Sequence, residues 1–72
     1  MLPRQQFAAN LRRFRTEAGL SQETLAHSAD FHPTEVSRLE RAVRDPRLST
    51  IVRLAGALGV PAATLLEGID GP

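Results

Sequence analysis

The chain contains no cysteine, no lysine and no tyrosine. Without cysteine there is no disulfide, no thiolate nucleophile and no cysteine-based zinc site. That absence is compatible with a reducing, cytoplasmic setting. Without lysine and tyrosine, few groups titrate above neutrality. The pI of 9.1 therefore overstates the charge, which is only +1. No apolar run approaches the length that spans a bilayer, so no membrane association is expected. The opening segment MLPRQQFAANLRR lacks the apolar stretch of a signal peptide. There is no glycine-rich phosphate loop, no internal repeat and no alternating pattern of the kind a strand needs. Ser21, Ser28, Ser37 and Ser49 stand apart from any Asp/His constellation, which leaves nucleophilic catalysis unsupported. His27 and His32 lack a second ligand type at a metal-binding spacing. No enzyme activity, metal or other cofactor is expected.

What is present fits one small domain, residues 1–72. A chain of this size buries only about 60% of its unfolded surface, so neither an added effector domain nor a large substrate pocket is expected. All nine basic residues are arginine. Residues 1–66 hold these nine against six acids, and Glu67 and Asp70 follow in the tail. Arg38, Arg41, Arg44 and Arg47 recur every third residue, making a local cationic edge. The competing reading of that edge is a solvated, salt-bridged face.

Helical periodicity then divides the chain. A first helix is expected over Leu2–Glu17, with Phe7, Leu11, Phe14 and Ala18 as its apolar stripe and Gly19 as its terminator. Arg15 lies on the flank of that stripe. Ser21 is a good N-cap for a second helix, Gln22–Ser28, with Leu25, Ala26 and Ala29 inward. Ala29–Phe31 forms a tight turn in which Asp30 takes a positive φ, with Phe31 inserting into the core. Pro33 at the first position and Glu35 in the first turn suit the start of a third helix running to about Arg41. A loop ends near Pro46. A fourth helix, Leu48–Leu58, turns Leu48, Ile51, Leu54, Ala55 and Leu58 inward and stops at Gly59. A short fifth helix, Ala62–Leu66, precedes a tail at 67–72 expected to fray.

The third helix carries two faces. At about 100° per residue, Val36, Leu39, Glu40 and Val43 fall on one side, and Thr34, Ser37, Arg38 and Arg41 on the other. The first face packs inward. The second offers hydroxyls and guanidiniums on a rigid helical pair, which is what the major groove of double-stranded DNA accepts. An inward Glu40 needs a partner, because an unpaired buried carboxylate is costly. Arg15 can supply a bidentate one.

The series Leu20-Ser21-Gln22, Leu25-Ala26, Ala29–Phe31, Val36-Ser37-Arg38-Leu39-Glu40-Arg41, Pro46 and Leu54-Ala55-Gly56-Ala57-Leu58-Gly59-Val60 resembles the phage-repressor (Cro, or XRE) helix-turn-helix family. The resemblance covers roughly residues 7–67. It implies an all-α, five-helix, lambda-repressor-like DNA-binding domain, with the helix-turn-helix in helices 2 and 3, residues 22–41. By position, Gln22 falls where the family contacts a phosphate. Pro33 and Thr34 fall where the recognition helix reaches base edges, and Ser37 and Arg38 lie one turn further along. Arg44 and Arg47 match loop positions that meet the backbone or minor groove. Arg15 and Glu40 match a structural ion pair between helices 1 and 3. His32 has two uses open to it, capping the helix first and contacting a phosphate second.

Three departures from the family pattern matter. Asp30 replaces the turn glycine, Ala42 replaces a glycine after the third helix, and Pro33 replaces a polar reader. Direct readout then leans on Thr34, Ser37 and Arg38. Arg38 is the candidate for a guanine contact, with a phosphate contact or a bridge to Glu35 or Asp45 as its alternatives. The leading function is a sequence-specific transcriptional regulator in the cytoplasm of a bacterium or acting on a phage genome. It would bind a pseudo-palindromic operator as a homodimer, with Leu66 and Ile69 as candidate dimer contacts and Leu65 assigned to the core. The alternative is a protein-interaction module of the same fold without DNA binding. Restriction–modification controllers, prophage repressors and antitoxins all fit the family, so a protein partner such as a toxin or another regulator stays open.

Overall fold

The structure, a computed structural model, describes residues 1–71. Pro72, the end of the expected tail, lies outside the described residues. Four α-helices and one short 3-10 helix make up the fold, and no strand occurs among the described residues.

The first helix, α1, spans Pro3–Glu17. Proline costs nothing at the first helical position because its missing N–H would have no partner in the helix. The Leu2 N–H donates to Gln5 Oε1 at 2.8 Å, which satisfies the chain just before the helix begins. Gly19, at φ 74, turns the chain out of it. Helix α2 spans Gln22–Ser28, and Ser21 Oγ accepts from the Thr24 N–H at 3.0 Å. Helix α3 spans Pro33–Glu40, capped by His32, whose Nδ1 accepts from the Thr34 N–H at 3.1 Å. Helix α4 spans Leu48–Leu58 and ends at Gly59, φ 71.

The expected fifth α-helix is instead a 3-10 helix, Ala62–Leu66. The Thr64 N–H donates to Pro61 O, and the Glu67 N–H to Thr64 O. Both are three-residue spacings, the pattern favoured where a helix is too short to close a second α turn.

The core gathers Phe7 and Leu11 from α1, Leu25 and Ala26 from α2, Val36 and Leu39 from α3, Ile51, Leu54 and Ala55 from α4, and Leu65. Three residues expected inside lie outside. Ala18 is the C-cap of α1 and is exposed, because the chain has begun to turn there. Val43 is 62% exposed. The helix ends at Glu40 and Ala42 takes φ 57, so the helical phase that would have carried Val43 inward is lost. Leu48 is 73% exposed; as the first residue of α4 it projects beyond the core that its helical neighbour Ile51 enters. Phe14 and Phe31 are half-buried and pack on the edge of the core.

Asn10, a polar residue of α1 outside every apolar stripe, is buried. Its Nδ2 donates to Leu65 O at 3.0 Å and Glu67 O at 2.8 Å, and its Oδ1 accepts from Gln6 Nε2 at 2.9 Å. This ties the 3-10 helix to α1. Among the described residues no buried side-chain polar atom lacks a partner.

Candidate nucleic-acid interface

Helices α2 and α3 are joined by a turn that closes on itself. The Asp30 N–H donates to His27 O at 3.2 Å and the Phe31 N–H to Ala26 O at 2.7 Å, while Asp30 adopts φ 60. Asp is among the few non-glycine residues that tolerate this region. Arg53 of α4 reaches across to the same turn. Its Nε and Nη2 donate to Ala29 O at 3.1 and 2.8 Å, Nη2 also donates to Asp30 O at 2.6 Å, and its guanidinium lies 4.0 Å from the centre of the Phe31 ring. At the other end of α3, Arg4 Nε donates to Ala42 O at 3.0 Å.

Behind α3, Glu40 is the hub of a second network. Arg15 Nε donates to Glu40 Oε2 at 2.6 Å and Nη2 to Oε1 at 2.9 Å, a two-pronged pairing. Arg15 Nη1 donates to Leu20 O at 2.8 Å. The Glu40 side chain is 2% exposed and that of Arg15 11%, so Arg15 sits inside and not merely on the flank of the α1 stripe. Hydrogen bonding to Glu40 raises the pKa of Arg15 above its ordinary value; burial opposes this, and Coulombic attraction to the carboxylate adds to it. Gln22, at the start of α2, completes the set by donating from Nε2 to Glu40 Oε1 at 3.1 Å. Gln22 thus faces the carboxylate with one amide hydrogen and keeps a second.

The opposite side of α3 is open. Pro33, Thr34, Arg38 and Arg41 are exposed and Ser37 is half-buried. Among the described residues Arg38 has no ion-pair partner, neither Glu35 nor Asp45. Glu35 is instead met by Arg44, Nη1 to Oε2 at 3.5 Å, with the Arg44 side chain half exposed. An exposed pair of this kind is worth at most about 1 kcal/mol and yields readily to a stronger anion. Arg41 bends back toward Ser37 O at 3.4 Å, near the negative end of α3. Arg47, exposed at the N-cap of α4, lines a groove whose wall mixes His32, Arg44 and Arg53 with the carboxylates of Asp30, Glu35 and Asp45. With His32 Nδ1 engaged by the Thr34 N–H, Nε2 is the ring nitrogen left for another partner.

Of the residues singled out in the sequence, Thr34, Ser37 and Arg38 share one outward surface, with His32, Arg44 and Arg47 beside it. Gln22, half-buried at the start of α2, gives one amide hydrogen to Glu40. Leu66 is 37% exposed, whereas Ile69 is half-buried against the core; both line a largely apolar depression that also includes Arg4 and Asp45. Leu65 is fully buried. Sequence reasoning missed Arg4 and Arg53. Both act on backbone carbonyls of distant turns, and no sequence spacing signals that. No helix among the described residues is long and apolar enough to cross a membrane.

Comparison with known proteins places this geometry. The family described as Helix-turn-helix matches residues 11–65. The control protein C.BamHI of Bacillus amyloliquefaciens is 37% identical over 62 residues, covering 85% of this chain and 76% of that protein. The crystal structure of the hypothetical transcription factor NHTF from Neisseria superposes with a TM-score of 0.87 at 43% identity, covering 90% of this chain and 75% of that one. The restriction-modification controller protein C.AhdI from Aeromonas hydrophila gives 0.84 at 39% identity, covering 86% and 94%.

Proposed function

The chain belongs to the helix-turn-helix family of the Cro and phage-repressor type, and from that premise we propose that it regulates transcription by binding double-stranded DNA with α3 in the major groove. The observation that carries the reading is the outward face of α3. Thr34, Ser37 and the unpaired Arg38 project from a helix whose other side is fixed to the core by Glu40, Arg15 and Gln22. Hydroxyls and a guanidinium on such a helix match the donor and acceptor pattern of base edges. Pro33 contributes apolar contact only, as to a thymine methyl.

Around that face, Arg44, Arg47 and Nε2 of His32 supply phosphate contacts that set register without carrying sequence information. The remaining amide hydrogen of Gln22 adds a further donor from the start of α2. The protein acts as a homodimer on a pseudo-palindromic site, with Leu66 and Ile69 in the contact between copies. The relatives named as control and controller proteins support a role of that kind. The protein acts in the cytoplasm, alongside the DNA it binds.

Selection of preferred sequences from a random duplex pool tests the proposal. The expected result is an inverted repeat bound with an affinity that falls steeply with salt, since each neutralised phosphate contributes about 0.9 to the slope of log affinity against log salt. Failure to bind any duplex at low salt refutes it and favours a protein-interaction module.

A further inference from the structure

We propose that Arg53 is a positioning residue for the DNA-reading face: it fixes the turn from which α3 hangs, and so sets the angle at which Thr34, Ser37 and Arg38 meet base edges. The inference rests on the DNA-binding reading above and adds a residue that lies on a different helix from the reading face. Arg53 spends three donated hydrogen bonds on two consecutive carbonyls, those of Ala29 and Asp30. The Ala29 carbonyl, at the C-cap, is among those left without a helical partner at the negative end of α2, and the Asp30 carbonyl follows it in the turn. The guanidinium plane also stacks on Phe31, the next residue of the turn. One side chain therefore holds three successive residues, Ala29 to Phe31, immediately before the cap of α3.

The clamp sits at a strained point of the backbone. Asp30 occupies the left-handed region at φ 60, a conformation that glycine adopts freely and other residues resist. The Asp30 carboxylate contributes little to the clamp, since it is fully exposed and lies 3.9 Å from Arg53. The hold is through carbonyls and the ring. Lysine cannot reproduce it, because its ammonium is a point donor without a stacking plane.

The test compares wild type with Arg53→Met, Arg53→Lys and the double variant Arg53→Met/Asp30→Gly, all well below their melting temperatures. Two quantities are measured: affinity for the selected operator against random duplex, and hydrogen exchange of the Phe31 amide, which bonds to Ala26 O across the turn. Arg53→Met is expected to weaken operator binding about tenfold, the equivalent of about 1.4 kcal/mol, while random-duplex binding holds. The Phe31 amide should exchange faster. Arg53→Lys should behave like Arg53→Met, and Asp30→Gly in the Met background should recover much of the operator affinity by removing the conformational penalty. Equal losses on operator and random duplex would make Arg53 a phosphate contact and overturn the proposal, as would an unchanged Phe31 exchange rate. If wild type binds no duplex at all, the regulator reading fails first, and the Phe31 exchange alone decides whether Arg53 holds the turn.

Discussion

Glu40 belongs to the recognition helix yet faces away from anything that helix could read, with three N–H donors from Arg15 and Gln22 on its two oxygens. Removing the carboxylate strands a buried guanidinium, so Glu40→Ala should cost about 3–5 kcal/mol. In a domain of this size each 1 kcal/mol lowers the melting temperature by roughly 4–8 °C. Calorimetry that showed an unchanged melting temperature would refute a structural role for the pair. The pH dependence has a defined sign. A group whose pKa is raised on folding contributes fully below its unfolded value and loses that contribution only as pH rises through the folded value. For Arg15, raised chiefly by its hydrogen bonds to Glu40, that window lies beyond ordinary alkaline buffers. Titration into the alkaline range should therefore leave Arg15's share of stability intact. On the outward face, Arg38 and Arg47 should separate by readout. Arg38→Ala is expected to cost about 1–3 kcal/mol on the selected operator and to relax preference at one base position. Arg47→Ala should weaken all duplexes alike and reduce the salt slope by about one unit. Equal losses on operator and random duplex for Arg38→Ala would assign it to the backbone instead.

At eight residues, α3 is too short to be stable alone, so its geometry comes from what grips it. Arg53 acts before it, Arg4 after it and Glu40 beneath it. The after-end is strained: Ala42 takes φ 57, and a non-glycine residue in that region costs roughly 1–2 kcal/mol. Ala42→Gly removes that penalty at some entropic cost, and the expected outcome is a gain of about 0.5–1 kcal/mol, read as a higher melting temperature. A lower melting temperature would mean that the alanine methyl is needed where it is. The element boundaries were legible in the sequence because caps and stops are local. Ser21, Pro33, Gly19 and Gly59 each act within a few residues of themselves. The inward carboxylate of α3 and the arginine of α1 are likewise readable from helical phase. Helical phase misplaces Val43 and Leu48 for the complementary reason. Phase persists only while the helix does, and one lies past the end of α3 and the other at the start of α4. The roles of Asn10, Arg4 and Arg53 depend on contacts 24 to 57 residues away, which no local pattern encodes.

A recognition helix of eight residues is about 12 Å long and spans roughly three or four base pairs at 3.4 Å each. That is too few to specify a site, which is the physical case for two copies. Two-fold related copies place their recognition helices in successive major grooves, about 34 Å apart. Molecules measuring 34 × 23 × 21 Å are of the right size to present two such helices at that separation if joined through a surface away from α3. Leu66 meets the requirement of being apolar, 37% exposed and on the 3-10 helix instead of the helix-turn-helix. Asn10 holds that 3-10 helix rigid against α1, so the patch is presented in a fixed position. Leu66→Arg would place a like charge from each copy in the contact. Stability should change within about 0.5 kcal/mol, as for a surface substitution. Sedimentation should shift from dimer to monomer, and affinity for the inverted repeat should collapse toward that for an isolated half-site, which itself should not change. Retention of both dimer mass and operator affinity in Leu66→Arg would move the interface elsewhere. A selected site with a single unrepeated half, bound by one copy, would sink the dimer proposal itself.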